Sequence, residues 1–144
     1  MQTGTEAFHI KIVTVPKGII RPLWSVIIPT YNCANYLKET LTSVLAQDPG
    51  VVIMEIIVVD DHSTKDDPEA VVKEYGQGRV QFIRQEKNVG KVKNYEAGLR
   101  ASRGTYIHQL HGDDFVYDGF YSEMERLFNA NPTAGAAFCR TNYI

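Results

Sequence analysis

The chain has little of what usually betrays an activity. Its 144 residues include two cysteines, Cys33 and Cys139, too few for a disulfide framework and without metal-site spacing. Fifteen basic against seventeen acidic side chains leave a formal charge of −2, so the basic surplus that nucleic-acid binding calls for is missing. No apolar run reaches the roughly 18 residues of a membrane span. Met1 to Glu6 holds no basic region leading into an apolar stretch, unlike a signal peptide. Also lacking are G-x-G-x-x-G, G-x-x-x-x-G-K-[ST] and G-x-S-x-G. Their absence argues against a dinucleotide fold, a phosphate-loop enzyme and a serine hydrolase. There is no internal repeat and no low-complexity tract. The expectation is a soluble, cytoplasmic protein with no nucleic-acid partner and no membrane-spanning segment.

What is present is a core. With 44% hydrophobic residues, a domain of this length buries roughly 70% of its unfolded surface and needs no staples. Residues 1–22 read as a leader, with Phe8 to Ile12 alternating like a short strand before Pro16, Gly18 and Pro22 interrupt. Residues 23–144 read as one domain. Ser25 to Ile28 is a short apolar run stopped by Pro29, and Ile53 to Val59 is nearly continuous and β-branched, which suits a strand covered on both faces. Val80 to Ile83 and Thr105 to Leu110 add two strands, and Ala134 to Cys139 is expected to add a fifth.

Between the strands lie helical stripes. Leu37, Leu41, Val44 and Leu45 mark a helix over 35–47. Asp67-Pro68 opens a second as N-cap and first helical residue. Val92, Tyr95 and Leu99 mark a third over 91–102, with Gly104 placed to end it. Tyr117 to Phe128 carries a fourth, ended by Asn131-Pro132. Alternating strands and helices predict an α/β fold, a mostly parallel sheet with helices on both faces.

In an open parallel sheet, ligands bind beyond the carboxyl ends of the strands. Four strands in succession are followed there by polar groups: Pro29-Thr30-Tyr31-Asn32, Asp60-Asp61-His62-Ser63, Glu86 to Gly90, and His111-Gly112-Asp113-Asp114. The adjacent carboxylates of Asp113 and Asp114 repel unless a cation or hydrogen-bond donors offset them, and hard oxygens suit Mg²⁺ or Mn²⁺. An N-cap with a dipole-complementing acid explains the same pair. Asp60-Asp61 has the same ambiguity: with Ser63, Thr64 and Asp66 as turn formers, it also reads as an Asp-rich turn before a helix. Tyr31 either stacks on a base or covers the sheet end. Asn88-Val89-Gly90 either shapes a site or simply turns into a helix. Of the five basic residues from Lys87 to Arg103, Lys91 is nearest the loop and best placed to meet a phosphate. His108 and His111 lack further ligands and do not make a zinc site.

Taken in order, Val26-Ile27-Ile28-Pro29-Thr30-Tyr31-Asn32, Ile57 to Thr64, Asn88-Val89-Gly90 with Asn94, Gly104-Thr105-Tyr106-Ile107 and Leu110 to Asp114 resemble the motifs of family-two glycosyltransferases. The likeness covers residues 24 to about 140. It implies a GT-A fold and a nucleotide-diphospho-sugar donor, a UDP-sugar, with Mn²⁺ or Mg²⁺ as cofactor. By the same likeness Tyr31 stacks on the base and Asp61 accepts the ring N–H of uracil, with Pro29 and Thr30 lining the pocket beside Asn88, Gly90 and Lys91. Asp113 would meet the ribose or the metal's shell, and Asp114 would ligate the metal. The implied reaction is inverting displacement by an acceptor hydroxyl, whether glycan, lipid-linked or protein. His111 departs from the Asp-x-Asp-Asp version of the last motif.

The general base and acceptor half are expected beyond Ile144. Glu123 and Glu125, the carboxylates after Asp118, are expected to face solvent from the fourth helix, so no catalytic base is nominated within the chain. Two other readings compete. A non-catalytic nucleotide-binding or regulatory module would bind UDP and transfer nothing. A receiver-type signalling domain needs acids after the first strand and a phosphorylatable Asp after the third, where this chain has Pro29-Thr30-Tyr31 and Gln85-Glu86.

Overall fold

The computed structural model describes residues 14–143. The strand expected over 8–12 lies outside them. The element order is β1 (Trp24–Thr30), α1 (Ala34–Leu45), β2 (Met54–Asp60), α2 (Pro68–Tyr75), β3 (Val80–Arg84), α3 (Lys91–Ala101), β4 (Tyr106–Gln109) and α4 (Phe120–Ala130). The four strands form one sheet in the order β3-β2-β1-β4, and every neighbouring pair is parallel.

Side-chain alternation along the strands sorts the core into two layers. Val26, Ile28, Ile56 and Val58 point to the face covered by Leu37, Leu41 and Val44 of α1, Val72 of α2 and Met124 of α4. Ile27, Ile57 and Val59 point the other way, against Tyr95, Ala97 and Leu99 of α3. β1 and β2 are buried along nearly their whole length, as a strand sandwiched between helices must be. Asp67 caps α2 by accepting the Ala70 N–H at 3.0 Å, with Pro68 at the first helical position. No helix among the described residues is long and apolar enough to cross a membrane.

Three local expectations are corrected. Residues 134–139 pair with no strand among the described residues and are mostly exposed, with Phe138 at 92%. Alanine and glycine there offer too little apolar surface to repay ordering a strand. Gly104 does not end α3, which stops at Ala101 with Ser102 extended. Its role is close approach: a Cβ on Gly104 would sit 2.5 Å from both the N and Oγ of Ser25. Glu125 is not solvent-facing, because one of its oxygens accepts the Trp24 indole N–H at 2.6 Å.

Candidate active site

Strand order reverses between β1 and β4, since the chain runs outward from β1 through β2 to β3 and then returns to β1's other side. The loops leaving β1 and β4 must therefore diverge, and a crevice opens between them at the carboxyl edge. A cleft of about 350 Å³ occupies this position. Pro29, Thr30, Tyr31, Asp61, Asn88, Gly90, Lys91 and Asp113 all line it. Asp114 is not in the lining; it sits exposed one residue further along, its N–H bonded to the His111 carbonyl.

The two acids after β2 do different work. Asp60 is fully buried, and its carboxylate accepts the Ser63 hydroxyl and N–H and, at 2.8 Å, an Arg84 guanidinium N–H. Asp61 is 4% exposed and faces the cleft. One of its oxygens accepts the Val89 N–H at 2.7 Å and the other the Gly90 N–H at 2.9 Å. Asp61 thus fastens the loop that enters α3, and each oxygen keeps a lone pair for a further donor. Asn88 donates back to the Asp61 carbonyl, and Gly90, at φ 87°, caps α3. Lys91 begins that helix with its side chain exposed at the cleft.

Across the cleft, Tyr31 is 48% exposed. The residues around it are bonded to the β2–α2 loop: the Thr30 carbonyl accepts the Asp61 N–H, and the Asn32 N–H donates to Ser63 Oγ at 2.8 Å. Asn32, at φ 51°, turns its side-chain oxygen to the N–H groups of Thr64 and Lys65 at 3.0 and 3.1 Å. The N-cap of α1, Cys33, makes no side-chain capping bond, and Asp66 reaches over to accept the Ala34 N–H instead. Burial pushes the Cys33 thiol above its ordinary pKa, against the opposing contact with Thr30 Oγ1 at 2.8 Å.

Cys33, Asn94 and Gln109 line the cleft as well and were not singled out as site residues from the sequence. Asn94 belongs to the motif that carries the family likeness, where it was given no role: a buried amide on α3, it donates to the Val59 carbonyl at 2.8 Å and ties the helix to the end of β2. Gly112 sits in close quarters, since a Cβ there would lie 3.0 Å from Cys33 Sγ and 3.1 Å from the Thr30 side chain, which would have to give way.

Among the described residues neither Asp113 nor Asp114 enters an ion pair, and no group of three or more His, Cys, Asp or Glu is gathered to hold a metal alone. Two adjacent free carboxylates fit a Mg²⁺-like or Mn²⁺-like ion, which keeps waters and takes substrate phosphates as its remaining ligands.

A family model described as "Glycosyl transferase family 2" matches residues 25–144. The chain belongs to that family. An uncharacterised glycosyltransferase of Mycoplasma genitalium is 32% identical over 123 residues, covering 83% of this chain and 41% of the relative. One from Rickettsia typhi is 41% identical over 108 residues, covering 75% and 32%. The chain thus spans well under half the length of these curated relatives. Among solved glycosyltransferases, the mannosyltransferase PcManGT from Pyrobaculum calidifontis, in complex with GDP-Man and Mn²⁺, superposes with a TM-score of 0.75 at 26% identity over 85% of this chain and 36% of that one. S. aureus TarS 1-349 in complex with UDP-GlcNAc gives 0.70 at 25% over 81% and 37%. The parallel sheet with helices on both faces is the GT-A arrangement of these neighbours.

Proposed function

We propose that this family-two glycosyltransferase chain forms the donor-binding part of an enzyme that transfers a sugar from a UDP-sugar, with inversion, to an acceptor hydroxyl. One observation carries the reading: Tyr31, Asp61, Lys91 and Asp113 line a single cleft at the point where strand order reverses. A uracil would lie against the Tyr31 ring, stacking being worth about 1–3 kcal/mol. Its ring N–H would be accepted by an Asp61 oxygen, and Pro29, Thr30, Asn88 and Gly90 shape the walls. Asp113 would meet the ribose or share a cation with Asp114, and Lys91 offers the diphosphate a positive charge.

Asp114 and Asp113 would hold Mn²⁺ or Mg²⁺, and the bound ion would neutralise the departing nucleoside diphosphate. Neighbours solved with UDP-GlcNAc and with GDP-Man support a nucleotide-sugar donor. Both bases carry a ring N–H that a carboxylate can accept. We assign the general base and acceptor recognition to the part of the relatives that this chain does not match. A cytoplasmic location is part of the same reading.

The test is titration of UDP into the protein with and without Mn²⁺, by calorimetry. Binding that strengthens with Mn²⁺ and loses that gain in Asp114→Asn is the expected result. Absence of any binding in both conditions removes the donor-site reading.

A further inference from the structure

Tyr31 makes no side-chain hydrogen bond among the described residues, yet the backbone on either side of it is tied down. Thr30 is held through its carbonyl by the Asp61 N–H at 2.9 Å. Asn32 is held three times, by its own N–H on Ser63 Oγ and by the Thr64 and Lys65 N–H groups on its side-chain oxygen. Ala34 is held by Asp66 at 2.8 Å. The anchor continues inward, because the Ser63 hydroxyl that receives the Asn32 N–H donates to buried Asp60 at 2.5 Å. Arg84 of β3 locks that pair, one guanidinium N–H on Asp60 at 2.8 Å and another on the Ser63 carbonyl at 2.7 Å.

We infer that Asn32 is a positioning residue that presets the Tyr31 ring for the nucleotide base, its side-chain oxygen clamping the Thr64 and Lys65 N–H groups while its own N–H rests on the Ser63–Asp60–Arg84 chain; the inference rests on the donor-site reading. Two physical requirements meet at this position. The backbone is left-handed at φ 51°, which Asn, Asp and Gly tolerate. The side chain must also accept two N–H groups, which Asn and Asp can do and Gly cannot. A ring held in place before binding spares the complex the entropy of ordering that loop.

The two requirements separate experimentally. UDP is titrated, with Mn²⁺ present, into the full chain and into Asn32→Gly, Asn32→Asp, Tyr31→Ala and the Tyr31→Ala/Asn32→Gly pair, each verified as folded by circular dichroism. Asn32→Gly keeps the backbone conformation and loses the acceptor, so UDP affinity is expected to drop about tenfold. Asn32→Asp restores the acceptor and is expected to bind within about twofold of wild type. The pair is expected to bind no more weakly than Tyr31→Ala alone, because Asn32 acts through the ring.

A general structural role would instead weaken Tyr31→Ala further. Should Asn32→Gly not fold, Ser63→Ala, which removes the hydroxyl that accepts the Asn32 N–H, takes its place. Wild-type affinity in the folded Asn32→Gly protein, or additive losses in the pair, overturns the positioning role of Asn32 while leaving the donor site standing. No UDP binding by wild type overturns the donor-site reading and the inference with it.

Discussion

The carboxylate of Asp61 accepts the main-chain N–H of Gly90 at 2.9 Å, joining the end of β2 to the first residue before α3. Its other oxygen takes the Val89 N–H. Asp61→Asn keeps the shape but replaces one acceptor by an NH₂ group, leaving one of those half-buried N–H groups without a partner. The expected cost is about 1–3 kcal/mol of folding stability, read from urea midpoints. UDP affinity is expected to fall as well, since the loop carrying Asn88, Gly90 and Lys91 loosens. Unchanged stability in Asp61→Asn would show that these bonds do not hold the loop.

Glu123 and Glu125 lie two residues apart on α4 and are expected to respond differently to substitution. Glu123 is exposed and pairs with Arg126 at 2.9 Å one turn along the helix. Such pairs contribute roughly 0.3–0.5 kcal/mol, so Glu123→Ala is close to neutral. Glu125→Leu strands the indole N–H of Trp24, which is 3% exposed. The expected loss is about 1–3 kcal/mol. Because Trp24 is the only tryptophan, its fluorescence maximum reports the change directly: a shift in Glu125→Leu and none in Glu123→Ala.

The contrast between these two glutamates shows where sequence reading stops. Helix period places both at positions flanking the apolar stripe, and only the packing of α4 beside β1 brings one of them to the indole. The alternation of strands and helices was legible because it depends on local spacing: Leu37, Leu41 and Val44 mark a helical face whatever packs against it. The convergence of loops at one sheet edge was legible because parallel strands put their carboxyl ends together. Roles set by partners some 30 residues away were not. Asp60 and Asp61 are adjacent acids in the sequence; Arg84 and the Val89–Gly90 amides divide them into a buried anchor and a cleft-facing latch. Asp66 looked like one more turn former, and its bond to Ala34 becomes visible only when the β1–α1 and β2–α2 loops lie side by side. The strand expected over 134–139 failed on a different count, since a run of mostly small residues supplies too little area to bury.

Gly104 offers a steric test of the β1–β4 junction. Its N–H donates to Ser25 Oγ at 2.7 Å, and an added Cβ would meet the Ser25 backbone N at 2.5 Å. Backbone cannot step aside as a flexible side-chain tip can. Gly104→Ala is therefore expected to cost about 1–3 kcal/mol by overpacking, lowering the thermal midpoint. Gly135, whose added Cβ would meet nothing within 4 Å, supplies the control: Gly135→Ala is expected to leave the midpoint unchanged.

His108 is expected to make the fold acid-sensitive. It packs against Phe120 and Tyr121, with Nδ1 3.1 Å from the Tyr121 hydroxyl. Burial lowers its pKa from 6.5 to about 4, because charging the ring there forfeits its hydration. Burial likewise raises the Tyr121 phenol, which stays protonated throughout this range. Between pH 6.5 and 4 the unfolded chain binds a proton at this histidine that the folded chain does not. Stability from this group is thus complete above pH 6.5 and falls as the pH drops toward 4, by on the order of 3 kcal/mol in total. Below that point the folded state protonates as well and the loss levels off. His108→Gln keeps a polar partner for Tyr121 but cannot titrate. Urea midpoints for both proteins from pH 7.5 to 4.5 are expected to show the steeper decline in wild type, whereas parallel curves would mean that His108 gains its proton in the folded state as readily as in the unfolded one.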